Sequence, residues 1–174
     1  CFPDAEIISV EYDRNSPDVA VAAERLKGRN NVQQLFGDAT RLLPSLARPG
    51  DVALIDGPKG YRGLRLALRL LAEGHTPLVF VHDTCAGSQE RHYLSRRMPE
   101  AVYSDLPAFA DVAHQLDQGA WDELPEANRW TAAGAPAAGY GFSLACLPRQ
   151  SGRCYTLLRL RAVLDGLGHR LLKR

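Results

Sequence analysis

The chain has 174 residues, enough for one domain rather than two. Its 45% apolar and 24% charged residues are ordinary for a globular core. The 21 Lys and Arg against 20 Asp and Glu lack the basic surplus of a protein that coats nucleic acid. No run approaches the roughly 18–20 apolar residues of a membrane-crossing helix. The N-terminus also lacks a basic stretch leading into a long apolar one, so no signal peptide is expected within this sequence, although an earlier one could have been removed. The chain starts on Cys1 rather than Met, so an earlier natural start is expected.

Ile7 to Glu11 is short, apolar and β-branched, and reads as a buried strand that ends on an acid. Ser16-Pro17 starts a helix that carries Val19, Ala22, Ala23 and Leu26 and stops near Gly28. Val32 to Phe36 is a second strand, and Thr40 to Leu46 a short helix after Gly37-Asp38. Asp51 to Asp56 is a third strand whose uncharged centre suits cover on both faces. Leu64, Leu68 and Leu71 share one side of the next helix, which ends near Gly74. Leu78 to His82 is a fourth strand, and Ser88 caps a helix carrying Tyr93 and Leu94. This alternation predicts an α/β domain with a mostly parallel sheet and helices on both faces.

The later part is less regular. A short strand is expected at 101–104 and a helix within 107–116. A long excursion covers about 117–138, with Trp121 and Trp130 either pinning it to the body or lining a groove. Tyr140 to Leu147 reads as a strand. The tail from Tyr155 allows two readings. Leu157, Leu160, Leu164, Leu167 and Leu171 suit an amphipathic helix, whereas Gly166 and Gly168 favour a strand over 154–160 and a short terminal helix. The four cysteines form no CxxC pair. They suit free thiols of a reducing, cytoplasmic setting, with one Cys146–Cys154 disulfide as the alternative.

In an open parallel sheet, ligands bind at the carboxyl ends of the strands. Glu11, Asp38, Asp56, His82 and Asp83 all fall there. A carboxylate such as Glu11 suits the two hydroxyls of a ribose. Asp38 after Gly37 is either an adenine contact or a helix cap. Asp56-Gly57-Pro58-Lys59-Gly60 sets an acid and an amine in a tight loop, where Lys59 either meets an acidic substrate or points to water. His82 is either a general base or a satisfied core histidine. Asp56 and Asp83 could share a divalent ion such as Mg2+ or Mn2+ through oxygen ligands.

The segments Ile-Ile-Ser-Val-Glu-Tyr-Asp, Asn-Val-Gln-Gln-Leu-Phe-Gly-Asp-Ala and Asp-Val-Ala-Leu-Ile-Asp-Gly-Pro-Lys-Gly, in this order, resemble class I S-adenosylmethionine-dependent methyltransferases. The resemblance covers about residues 6–147. It implies a three-layer Rossmann-like fold with Glu11 at the cofactor ribose and Asp38 and Ala39 at the adenine. The Asp56–Gly60 loop would lie near the methyl group and acceptor. The Val-Phe-Val-His-Asp strand end and the Asp-Gly-Pro-Lys-Gly-Tyr segment are similar to the branch that holds plant glucuronoxylan O-methyltransferases. The first strand and Gly-rich loop of that family are absent from the ten residues before Glu11.

The expected activity is methyl transfer from S-adenosyl-L-methionine to a hydroxyl of a small polar or sugar acceptor. His82 or Asp83 would take the proton, Asp56 would orient the acceptor, and Lys59 would favour an acidic one. A non-catalytic binding or assembly module is the alternative. The expected partners are a small molecule and a second copy paired through an open sheet edge, with neither nucleic acid nor membrane.

Overall fold

A computed structural model describes residues 4–109 and 143–172. The fold is α/β, with helices and a small mixed sheet, and the chain divides into two compact units, Cys1–Ala47 and Arg48–Arg174. The 117–138 excursion, Trp121, Trp130, and the start of the strand expected from Tyr140 lie outside the described residues. So does most of the helix expected within 107–116.

The first unit runs β1 (Ile7–Glu11), α1 (Pro17–Arg25), β2 (Val32–Phe36) and α2 (Ala39–Leu46). The two strands are parallel, in register from Ile7 opposite Val32 to Glu11 opposite Phe36. Pro17 is tolerated in the first turn of α1 because its missing N–H has no helical acceptor there. Ser16 holds the N-cap position, though its hydroxyl accepts no capping hydrogen bond. Val19 is the one buried hydrophobic side chain among this unit's described residues. So short a segment encloses little apolar surface by itself.

The second unit contains β3 (Val52–Ile55), α3 (Tyr61–Glu73), β4 (Leu78–Val81), α4 (Gln89–Arg97) and β5 (Val102–Tyr103). A single 3-10 turn at Pro107–Phe109, β6 (Ala145–Pro148) and α5 (Tyr155–Leu172) follow. The sheet order is β3-β4-β6-β5. β3 and β4 are parallel, but β6 enters between β4 and β5 and runs antiparallel to both. The expectation of a mostly parallel sheet is thereby corrected to a mixed one in this unit. The strand that follows the excursion re-enters beside β4 in the opposite sense.

The core centres on α3, whose Leu64, Leu66, Leu68, Leu70 and Leu71 are all buried, with Val79 and Val81 of β4, Leu94 of α4 and Leu147 of β6. Gly74 closes α3 in the left-handed conformation, which costs glycine no Cβ clash. β3 is less enclosed than its composition suggests. Ile55 is buried, but Val52 and Leu54 are each 59% exposed. Cover on both faces therefore does not hold for this strand.

The tail is one helix through both glycines, not a strand with a short helix. Gly166 lies against Tyr61, where an added Cβ would sit 3.1 Å from the Tyr61 Cβ and Cγ. The glycine gives a close helix crossing here instead of a break. The alternative Cys146–Cys154 disulfide is also corrected, because both thiols are free. Cys146 sits half-buried in β6, where burial pushes its thiol pKa up, and Cys154 is exposed ahead of α5. No helix of the described residues is long and apolar enough to cross a membrane.

Candidate functional site

The parallel register of β3 and β4 sets Ile55 opposite Val81, so the next residues, Asp56 and His82, emerge together at the carboxyl ends. The His82 N–H donates to the Ile55 carbonyl at 2.9 Å and extends this pairing by one step. His82 Nδ1 then lies 2.9 Å from Asp56 Oδ1 and 3.0 Å from Asp83 Oδ1. Lys59 closes the cluster, with Nζ 2.6 Å from Asp56 Oδ1 and 2.5 Å from Asp83 Oδ2. The His82 side chain is only 16% exposed, whereas Lys59 and both acids stand nearer solvent.

Local structure fixes each member. Asp83 has φ 58°, an uncommon conformation that costs free energy outside glycine and recurs at functional sites. It is held from both sides. His82 is tied to β3, and the next residue, Thr84, is buried and anchored to Ser143. The Thr84 N–H and hydroxyl donate to the Ser143 carbonyl at 2.8 and 2.9 Å. Farther along, Arg91 donates to Asp105 Oδ1 at 2.8 Å and stacks 3.5 Å from the centre of the Tyr103 ring. That network ties α4 to the segment after β5.

The Asp56–Gly60 loop is fastened from beneath. The Gly60 N–H donates to the buried carboxylate of Glu90, in the first turn of α4. The Pro58 carbonyl packs on Gly63, where an added Cβ would lie only 2.0 Å away. Sequence reasoning missed Glu90. An acid one residue into a helix reads as an exposed partner of the helix dipole, and nothing local signals that a loop 30 residues upstream donates to it.

The electrostatics follow from this geometry. Burial lowers the Lys59 pKa, but the hydrogen bonds and charges of Asp56 and Asp83 outweigh it and leave a net rise. The hydrogen bond from Lys59 holds the Asp83 carboxyl below its usual value, against burial and with help from the charges of His82 and Lys59. The lowered Asp83 value makes its contribution to stability present above the usual aspartate range and lost as pH falls through the lowered value. The raised Lys59 value makes its contribution present below the usual lysine range and lost as pH rises through the raised value. Lys59 and Asp83 therefore stay charge-paired across the neutral range. Exposure of both partners keeps its contribution to stability small. In Lys59→Met, the Asp83 carboxyl should titrate at higher pH than in the parent, read by carboxyl-carbon NMR. An unmoved midpoint would mean that the ion pair does not set it.

Two carboxylate oxygens lie within 3.0 Å of Nδ1, at ion-pair distance from the imidazole but not in hydrogen-bond alignment with it. Negative charge at this distance stabilises an imidazolium, which suits a general base. Asp56, His82 and Asp83 also offer ligand atoms within 4.8 Å of one another, close enough for one divalent ion. Lys59 already supplies a cation to both acids, so a metal there would have to displace its ammonium.

Glu11, Asp38 and Ala39 belong to the first unit. Glu11 ends β1, its Oε1 accepts from the Ser9 hydroxyl at 3.2 Å, and its carbonyl accepts from the Gly37 N–H at 2.8 Å. The last bond draws the two strand ends together. Asp38 takes up the capping role, since its Oδ1 accepts from the N–H and hydroxyl of Thr40 at 2.9 and 2.7 Å. Ala39 is the first residue of α2. The sequence-predicted residues thus form two groups, one in each unit. No family model, curated protein or solved structure matches the chain.

Proposed function

We propose that this chain is a methyltransferase-like domain of the Rossmann-like class that methylates a hydroxyl oxygen of a small polar or sugar acceptor. The observation that carries the reading is the His82 imidazole set between Asp56 and Asp83 at the carboxyl ends of parallel β3 and β4. Ligands of open α/β sheets bind at that end, and a hydroxyl acceptor needs a proton acceptor there.

S-adenosylmethionine would supply an electrophilic methyl group on its sulfonium. The carboxylate of Glu11 suits ribose hydroxyls, and its place at the end of β1 fits that role. The acceptor binds with its hydroxyl toward the His82 imidazole, which takes the proton as the oxygen becomes nucleophilic. The negative charges of Asp56 and Asp83 stabilise the imidazolium that results. Lys59 neutralises part of that acid pair. Its charge is thus engaged within the cluster, which favours a neutral polar acceptor over an acidic one.

A second reading, a non-catalytic binding or assembly module, is favoured by β3. It pairs only with β4 among the described residues, and its exposed Val52 and Leu54 present an apolar face that a partner would cover.

Calorimetric titration with S-adenosylhomocysteine separates the two. Saturable binding is expected, weakened by about 1–3 kcal/mol in Glu11→Ala through loss of a charged hydrogen bond. Absence of binding by the intact chain would reject the methyltransferase reading. Unchanged affinity in the variant would remove Glu11 from the site.

A further inference from the structure

Helix α5 is apolar on two opposite sides. One side carries Tyr155, Leu158 and Ala162, all buried, and Gly166 against Tyr61 of α3. The Tyr93 hydroxyl of α4 donates to the Leu158 carbonyl on that side. The other side carries Leu157, Leu160, Leu164 and Leu167, exposed by 43%, 58%, 66% and 52%. Steps of three, four and three residues put these leucines on one stripe, about half a turn from the buried face. Among the described residues the four leucines stay exposed, and contiguous apolar surface of this kind marks a contact.

We infer that the leucine stripe of α5 is a self-association seam on which a second copy of this chain docks with its own α5 antiparallel. The spacing is its own reverse. Turned end for end about residue 162, Leu157 falls on Leu167 and Leu160 on Leu164, so every leucine meets a leucine across a twofold axis. That self-complementarity is what an isologous dimer contact requires.

On one shoulder of the stripe the charges agree, while the opposite shoulder carries the exposed Arg159. Arg161 and Asp165 are exposed and stand one turn apart. In the antiparallel arrangement Arg161 of each copy comes within a turn of Asp165 of the other, and the shoulder carries both signs. Four leucines on one helix bury less than a standard interface, so the dimer is weak and concentration-dependent. This seam is separate from the β3 edge and from the His82 cluster, and it holds whether or not the chain is an enzyme.

Sedimentation equilibrium of the full chain, from low micromolar to a few hundred micromolar, tests it. The apparent mass should rise from 19.1 kDa toward twice that value. Leu160→Lys with Leu164→Lys should stay monomeric at every concentration. Both side chains are exposed, so circular dichroism and melting should remain close to the parent's. Leu160→Lys with Leu164→Glu should restore the dimer, because antiparallel pairing sets each lysine against a glutamate, whereas parallel pairing sets like charges together.

A parent chain that is monomeric throughout overturns the proposal. So does undiminished association of the double-lysine variant. Failure of the lysine–glutamate variant to associate, while the parent does, overturns the antiparallel arrangement. Flotation of a monomeric parent with phosphatidylcholine–phosphatidylserine vesicles, lost in the double-lysine variant, would assign the stripe to a lipid surface instead.

Discussion

His82→Ala should lower turnover by about 10²–10⁴-fold with a hydroxyl acceptor while leaving affinity for S-adenosylhomocysteine unchanged. The size follows from losing a positioned proton acceptor. The selectivity follows from role: under the proposal Glu11, not His82, holds the cofactor. His82 is mostly buried, so truncation has a structural cost too, and the loss of its contacts with Asp56 and Asp83 leaves those acids to Lys59. Melting temperature must therefore be measured beside turnover. Full activity in the alanine variant ends the general-base assignment. A fall in melting temperature with turnover per folded molecule preserved would make His82 a structural residue. His82→Gln serves as the companion: it fills similar space, but it cannot take a proton near neutral pH, so it should be as slow as the alanine variant and more stable.

Gly63→Ala should destabilise the protein by about 2–4 kcal/mol, although glycine to alanine inside a helix ordinarily gains about 1 kcal/mol. The sign is decided by the Pro58 carbonyl, which the new Cβ would approach to 2.0 Å. Both are backbone positions, so no side-chain rotation relieves the clash. The loop cannot simply lift, because Gly60 is fastened to Glu90 and Lys59 to the two acids. Urea unfolding should show a lower midpoint with an unchanged slope. The control is Gly168→Ala in α5, where an added Cβ meets nothing within 4 Å. The same chemical change should there be stabilising by about 0.5–1 kcal/mol. Destabilisation of both variants alike would show that helix glycines matter here for some reason other than the Pro58 approach.

Much of the local structure was legible because it depends on near neighbours. β2 spans Val32 to Phe36 as expected, the β3 and β4 positions agree to within a residue at each end, and Ser88 caps α4 by accepting from the Arg91 N–H at 3.0 Å. The His82 cluster was legible for the same reason, since two parallel strands deliver their terminal residues side by side. What failed depended on distant partners. Gly166 and Gly168 lower helix propensity, but α5 gains more by packing on α3, and Gly166 allows Tyr61 to come close. The apolar run of β3 says nothing about which strands flank it, so the exposure of Val52 and Leu54 could not be read from composition. Glu90 was hidden because its hydrogen-bond donor is remote in sequence, and the reversed strand β6 because it follows a long excursion.

The backbone at Asp83 narrows what evolution can place there. With φ at 58°, glycine, asparagine and aspartate bear the conformation most easily, whereas a β-branched residue would strain the turn between His82 and Thr84. Position 83 therefore has few accessible neighbours in sequence space. A lineage that no longer required the carboxylate would drift first toward asparagine or glycine and retain the turn. The chemistry of the cluster could thus be lost by a single substitution long before its shape decayed, and descendants with the same strand ends could differ in whether they act on a substrate at all.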